Sequence, residues 1–519
     1  MFTWLTGSDD HAPAFLHFRS SKTFIIITVA TAVFTDIFLY GIIVPVVPFA
    51  LTERAGIPPD RVQTWISILL AVYGAALLVT SPLCGWLADR SSSRRLPLMV
   101  GLLALAGSTV MLCVGSSITV LAVGRVLQGM SAAVVWVVGL ALMVDTVGGD
   151  DIGQAMGYVG LSMSLAVLLA PLLGGIVFAN AGYYSVFAMA FGLIVLDLLL
   201  RLAMVERKIA VKWIPEYAEK SKEKKGETAG EENPNPDRKP EETGTPSINE
   251  KGAIDDHPAT LADNTPPNTA ADPAPIDAPP NKWYNNLPPV MRLLSSRRLL
   301  SALWACLIQS SLLTSFDSIL PLFVRDTFGW NSTGAGLIFL PIVIPTFFGP
   351  VIGHLSDKQG PRWYATAGFV LACPILVLMR LVDHDSMKQK VLLCALLCLV
   401  GLGLTLALTP VMAEITYAVV DKEAKRPPGY YGKNGAYAQA YSLFNMAWAG
   451  GCLVGPLLAG LVQQSSGWAT ATLILGCVSI VTALPTAVWT GGSIFKLRKK
   501  RRDDADAEAA AADELAAQA

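Results

Sequence analysis

Twelve long apolar runs alternate with short polar connections along the chain. The first six lie at about 24–51, 64–84, 96–115, 118–147, 154–178 and 183–205, and the second six at 299–323, 334–353, 363–382, 390–420, 436–463 and 468–495. About 20 apolar residues in a helix cross a hydrocarbon core of ~30 Å. Inside such a core every backbone amide must be satisfied within the segment, which leaves the helix as the form for runs of this kind. The pattern therefore predicts an all-α membrane protein with twelve transmembrane helices.

The polar connections show how those helices are grouped. Gly85-Trp-Leu-Ala-Asp89-Arg90-Ser-Ser-Ser-Arg94-Arg95 sits between the second and third runs, and Gly353-His-Leu-Ser-Asp357-Lys358-Gln-Gly360-Pro-Arg362 repeats it between the eighth and ninth, 268 residues later. Asp145 near the end of the fourth run matches Glu414 in the tenth at 269, and Pro171 matches Pro456 at 285. The extra residues are absorbed by a loop at 421–434 that has no counterpart in the first half. Chance similarity between apolar helices would not keep charged loops in step, so the chain reads as two pseudo-symmetric six-helix bundles. The boundaries that follow are a polar tail 1–23, a bundle 24–206, a connecting segment 207–296, a second bundle 297–495 and a tail 496–519. The connecting segment is rich in Lys, Glu, Pro, Asn and Asp, and is expected to be a disordered linker because it cannot bury enough apolar surface to offset its conformational entropy.

Composition narrows the function. Hydrophobic residues make up 53% of the 519, charged residues only 15%, and the mean hydropathy is +0.49, too little charge to coat a soluble protein of this size. A net charge of −1 gives nucleic acid nothing to bind. The first apolar run is too long for a cleaved leader and is expected to remain as an anchor. All eight cysteines fall in apolar runs, which is packing usage, and the five histidines show no metal-ligand spacing. A Gly-rich phosphate loop ending in Lys-Ser/Thr is missing, as is a nucleophile–base pair, so neither an ATP-driven pump nor an enzyme is supported, and no cofactor is expected. Arg90, Arg94, Arg95, Lys358, Arg362, Lys422, Lys425, Arg426 and Lys433 would share one side with both tails, against Arg54, Arg61, Arg325 and Lys388 opposite. By the positive-inside bias both termini are cytoplasmic. Asn331-Ser-Thr333, a glycosylation triplet, then faces the outer side.

With these residues in hand the chain resembles the major facilitator superfamily, and within it the twelve-helix drug:proton antiporters that include the vesicular monoamine transporters. The family's loop pattern matches at Gly85, Leu87, Ala88, Asp89, Arg90 and Arg94, and departs at Ser92 and Ser93. Its fourth-helix pattern matches at Leu121, Arg125, Gln128 and Gly129. The antiporter pattern of the fifth helix reads Gly157, Ala166, Ala170-Pro171 and Gly174-Gly175, with alanine at two glycine positions, and the eleventh helix carries Ser442, Gly451, Gly455-Pro456 and Ala459-Gly460. Asp36 to Pro45 and Pro48 keeps the spacing of the vesicular carriers, Asp317 to Pro321 stands where they carry an acid and a proline, and Asn445 replaces their acid of the eleventh helix. The resemblance implies alternating access, exchange of a proton for a small organic molecule, and a proton gradient as the only energy source. It also implies a monomer in the plasma membrane rather than a vacuolar or vesicular one, of the kind that exports drugs or secondary metabolites in fungi. A proton-coupled importer of an organic acid or nutrient, and a receptor that kept the fold without transporting, are the alternatives.

Individual residues carry the chemistry. A carboxylate inside a membrane helix is costly and normally faces a cavity or a partner. Asp36, about a dozen residues into its helix, is either a proton site or an acid paired with a polar group of helix four or eleven. Asp317 is a second substrate or proton site, placed toward the outer mouth by the nearby Pro321. Glu414 is a further proton site or a gate on the inner side. Arg125 and Gln128 share a helical face. The resemblance gives Arg125 a part in proton coupling, against a fixed internal ion pair. Gly85, Asp89, Arg90 and Arg94, with Gly353, Asp357 and Arg362 in the repeat, read as a gate whose arginines pair with Asp145, Asp150 or Asp151. Asp197 and Arg201, four apart, read as an internal salt bridge. Pro171, Gly174, Gly175, Gly455 and Pro456 permit kinks and close helix contact. Tyr40, Trp136, Trp304, Phe316, Tyr417, Tyr441 and Phe444 are aromatic candidates for a cavity that takes a cation or a planar molecule.

Overall fold

The computed structural model describes residues 13–90, 93–147, 152–214, 293–294, 296–423 and 435–491. The first half holds α1 (Lys22–Gly41), α2 (Pro59–Arg90), α3 (Arg95–Val114), α4 (Ile118–Val147), α5 (Ile152–Ala181) and α6 (Tyr183–Ala203). The second holds α7 (Arg297–Phe328), α8 (332–359), α9 (Pro361–Leu378), α10 (Met387–Glu423), α11 (435–466) and α12 (468–489). The last two follow each other within Gly435–Trp489, 55 residues that are helical except at one point. At about 1.5 Å per residue this run is more than twice the thickness of a bilayer core. Gly467, with φ 80° and ψ 174°, breaks it into two spans. Among the described residues there are therefore twelve spans and no strand, an all-α membrane fold. These helices belong to one compact unit, residues 1–213 with 288–519; the second unit, 214–287, lies outside the described residues apart from Ile214.

Local sequence sets the ends and breaks. The Ser21, Ser117 and Ser296 hydroxyls accept from the backbone N–H three residues on and start α1, α4 and α7. Pro45 has no N–H and its ring collides with the carbonyl four residues back, so α1 stops at Gly41 and helix resumes only at Val47–Glu53. Pro341, Pro345 and Pro350 divide α8 into Ser332–Leu337, Leu340–Val343, a 3₁₀ turn Ile344–Phe348 and Gly349–Gln359. A π turn, Val135–Gly139, interrupts α4.

Order continues past the point where the polar composition begins. Arg207–Ala210 is a helical turn with Ala210 fully buried, and Glu206 before it accepts from the Ser93 hydroxyl and the Arg95 amide, both at 2.7 Å. The first residues of 207–296 are thus part of the folded body, because Glu206 anchors them to the start of α3. Most of that segment, most of the 421–434 loop, residues 1–12 and the tail 496–519 lie outside the described residues. The rest of the first tail is part of the folded body: Leu16–Arg19 is a helical turn, and Val205 N donates to Arg19 O at 3.1 Å.

The two halves meet tightly at the end away from the Gly85–Arg95 loop. There Ser332 Oγ donates to Gly175 O at 3.2 Å, Ser67 Oγ lies 2.9 Å from Ser318 Oγ, and Gln63 Nε2 donates to Ser318 O at 3.1 Å. Gln464 Nε2 donates to Asp60 O at 2.9 Å, and Arg325 Nη1 to Pro48 O at 3.4 Å. Glycine makes these approaches possible. A Cβ on Gly175 would meet the Ser332 backbone and lie 3.3 Å from Gly336 Cα, and one on Gly336 would meet the Pro171 backbone. Toward the loop end the α5–α8 seam opens: Tyr158, Leu161 and Leu165 on α5, and Phe347, Phe348 and Val351 on α8, are exposed.

Candidate functional site

A cavity of about 860 Å³, counting the space at its mouth, lies between the halves. Ile37, Tyr40, Gly41 and Val44 reach it from α1 and the turn after it, at the spacing that places residues on one helical face. Tyr73 and Leu77 of α2, Trp136 of α4, and Met163, Val167 and Pro171 of α5 complete the first half's share. The second half supplies Leu313, Thr314, Phe316 and Asp317 of α7, Phe339, Ile342 and Val343 of α8, and Trp448 and Cys452 of α11. Among the described residues Asp317 is the one acidic or basic side chain on this wall.

Asp317 is bound from the opposite half. The Tyr40 hydroxyl donates to its Oδ2 at 3.1 Å. It lies in the central cavity rather than at the outer mouth, because α7 runs on past Pro321 to Phe328 and tilts this turn against α1. The Tyr40 ring packs on Tyr73 with centroids 4.7 Å apart, and the Arg125 guanidinium stands 5.6 Å from the Tyr40 centroid. Arg125 is buried and donates from Nη1 to Gln128 Oε1 at 2.9 Å, while its Nη2 has no partner. Asp36, one turn before Tyr40, is fully buried behind the wall, and neither carboxylate oxygen makes a hydrogen bond. The Trp136 indole comes close to that carboxyl without hydrogen-bonding geometry. Neither helix four nor helix eleven supplies it with a hydrogen-bonding partner among the described residues.

The other singled-out residues lie elsewhere. Asn445 Nδ2 donates to Ser81 Oγ at 2.9 Å, a bond between α11 and α2 away from the cavity wall. Glu414 is fully buried in a two-pronged ion pair with Arg298 of α7 (Nη2 to Oε2 2.9 Å), and its Oε1 accepts the Gly491 amide at 2.7 Å. Arg94 Nε lies 3.3 Å from Asp145 Oδ2, and Arg362 Nε donates to Thr490 O at 2.8 Å. Gly353 packs against Thr409, and Gly85 is inside α2, with only Val137 near its Cβ position. The side chains of Asp89, Arg90 and Asp357, and residues 150 and 151, lie outside the described part. Asp197 and Arg201 form the expected buried pair, with bonds of 2.8 and 2.7 Å. Asn331 uses its side-chain oxygen to cap α8 at Gly334 N, 3.1 Å, in a three-residue connection, 329–331.

Of the aromatic candidates, Tyr40, Trp136 and Phe316 line the cavity. Trp304 and Tyr417 are exposed and do not line it, Phe444 is buried beside Trp448, and the Tyr441 side chain is outside the described part. Tyr73, Phe339, Trp448 and Arg298 were not legible. Lipid is as apolar as an aromatic-lined cavity, so hydropathy does not separate a cavity-facing turn from a lipid-facing one. Only the cross-half helix pairing does.

Twelve spans in two halves around a cavity shut at one end define a membrane transporter. The model of the Major Facilitator Superfamily matches residues 29–437, and the chain belongs to that family. It is 34% identical over 465 residues to an uncharacterized MFS-type transporter, C18.02, of Schizosaccharomyces pombe, covering 89% of this chain and 94% of the relative. It is 31% identical over 500 residues to the MFS-type transporter ppzB of Metarhizium rileyi, covering 93% and 98%. The vesicular acetylcholine transporter of Drosophila melanogaster is 21% identical over 485 residues, 88% of this chain and 69% of that one. Among solved structures, the human organic anion transporter MFSD10 superposes with a TM-score of 0.54 at 14% identity, covering 90% of this chain and 99% of that chain, which speaks for the fold alone. The chain is a multi-pass secondary transporter.

Proposed function

We propose that the protein exports a small organic cation in exchange for protons, by alternating access, from a cytoplasm that holds both termini. The observation that carries this is the pair of carboxyls flanking Tyr40. Asp317 stands on an otherwise apolar and aromatic wall, suited to a cationic, partly aromatic solute. Asp36, a turn away, accepts no hydrogen bond among the described residues, and a buried carboxyl without one is a place for a proton. Two acids within one turn of a shared tyrosine allow cation and proton to compete without sharing one oxygen pair. Against an organic-acid importer stands the sign of the wall: its only charge is negative, and Arg125 is not part of it. The basic loops support placing the open end toward the cytoplasm, and the resemblance to exporters supports the plasma membrane and a monomer.

The test is uptake into proteoliposomes with an acidified lumen, screened over aromatic amines, lipophilic cations and organic acids. Cations should accumulate against the gradient. Asp317→Asn should lose their binding. Asp36→Asn should fold and bind them, yet lose gradient-driven accumulation, because an amide keeps the shape but carries no exchangeable proton. Uptake of acids alone, or full accumulation by Asp36→Asn, overturns the reading.

A further inference from the structure

A second, smaller cavity lies wholly within the first half, toward the end where the halves are closed. It spans about 340 Å³ counting the open space at its mouth, and its wall consists of aliphatic side chains with Phe187, Tyr183 and Arg125. Among the described residues Arg125 is the one charged side chain on this wall, and no carboxylate lines it. A guanidinium stays ionised at any depth. Here it is 1% exposed, bonded through Nη1 to a neutral amide, and left with Nη2 buried and unpartnered. Among the described residues it forms no ion pair. Asp317, the acid it feels electrostatically, is bonded to the Tyr40 hydroxyl and makes no ion pair or hydrogen bond with it, so a buried guanidinium nitrogen beside this space is better satisfied when an anion occupies it. The Tyr183 hydroxyl does not compete for this role, since it donates to Leu112 O at 2.5 Å. The Tyr183 ring carries a second arginine: the Arg54 guanidinium stands 4.1 Å from its centroid and 4.9 Å from that of Tyr184. Two positive charges, one partly exposed and one buried, therefore flank one tyrosine at the edge of the cavity.

We propose that this cavity binds a small monovalent anion of the halide type, held by Arg125. The wall selects the class. Sulfate and phosphate are strongly hydrated and need several donors, which one guanidinium among aliphatic groups cannot replace. Chloride and bromide lose less hydration and are satisfied by one guanidinium fork. The site is separate from the central cavity and does not depend on what that cavity transports.

The experiment is thermal unfolding of the purified full-length protein in sodium gluconate, with chloride, bromide or sulfate titrated in at constant ionic strength. Chloride and bromide should raise the midpoint by a few degrees along a saturable curve, as expected for a ligand that binds the folded state, and sulfate should not. Arg125→Gln should abolish the difference between chloride and gluconate. In case that variant folds poorly, Leu121→Trp, which fills the cavity and keeps the arginine, should weaken half-saturation by about tenfold or more. Anomalous diffraction from crystals grown in bromide should place a peak beside Arg125. Equal midpoints in chloride and gluconate for the unaltered protein, a chloride effect that survives both variants, or bromide found only elsewhere would overturn the proposal.

Discussion

Asp36 and Tyr40 lie one helical turn apart on α1, yet the fold gives them different surroundings. The Tyr40 hydroxyl crosses to Asp317 in the other half, while Asp36 accepts no hydrogen bond among the described residues and has only the Trp136 indole close by. A cation arriving at Asp317 must therefore displace a hydroxyl before it gains the carboxylate. A neutral hydrogen bond contributes about 1 kcal/mol net, and ~1.4 kcal/mol is a factor of ten in affinity. Tyr40→Phe keeps the ring against Tyr73 and Arg125 and removes only that competitor. Binding of a transported amine, measured by calorimetry on the purified variant, should tighten by about three- to tenfold, with unfolding temperature nearly unchanged. Weaker binding would mean instead that the hydroxyl contacts the solute.

At the scale of the element, two junctions govern the two ends. The α5–α8 seam depends on Gly175 having no side chain, since any Cβ would run into the Ser332 backbone. Gly175→Val should push these helices apart and shift the protein toward the state open at that end. Cysteines placed on α8 near Ser332 should then react faster with an impermeant thiol reagent added from the outer side. Unchanged labelling would show that the seam re-forms around the larger residue. At the other end, Glu414 ties α10 to α7 through Arg298 and to the end of α12 through Gly491 N. Removing one partner of a buried ion pair costs about 3–5 kcal/mol, and Arg298 is partly exposed, so Glu414→Gln should cost about 3 kcal/mol. A thermal unfolding midpoint several degrees lower, with substrate affinity retained, would fit a structural tie. Loss of proton coupling at unchanged stability would instead make Glu414 a proton site.

The whole molecule is two diverged copies of one bundle. Asp145 pairs with Arg94 of α2–α3, whereas its counterpart Glu414 takes its guanidinium bonds from α7. The repeat therefore preserved the positions of the acids and exchanged a partner. The connecting segment belongs to this scale too. Its ends bury Ala210, Ile214 and Leu293, but the composition of 230–275 offers no apolar face to either bundle, so deleting that stretch should leave uptake and surface abundance intact. A correctly localised but inactive deletion would show that the segment does more than connect.

The sequence by itself determined the number of spans, the two-fold repeat and the family, because each depends on local pattern: run length against bilayer thickness and charged loops kept in step. It also singled out Asp36, Arg125 and Asp317 as costly groups in an apolar setting. Tertiary structure decided what each of them meets. Asp317 reached the central cavity and Tyr40, Asp36 ended behind the wall, and Arg125 turned to a second cavity, since those contacts join residues up to 277 positions apart. Nor did hydropathy choose between cavity and lipid for Tyr73, Trp448 or Trp304. Both surroundings are apolar, and only the crossing of helices from the two halves distinguishes them.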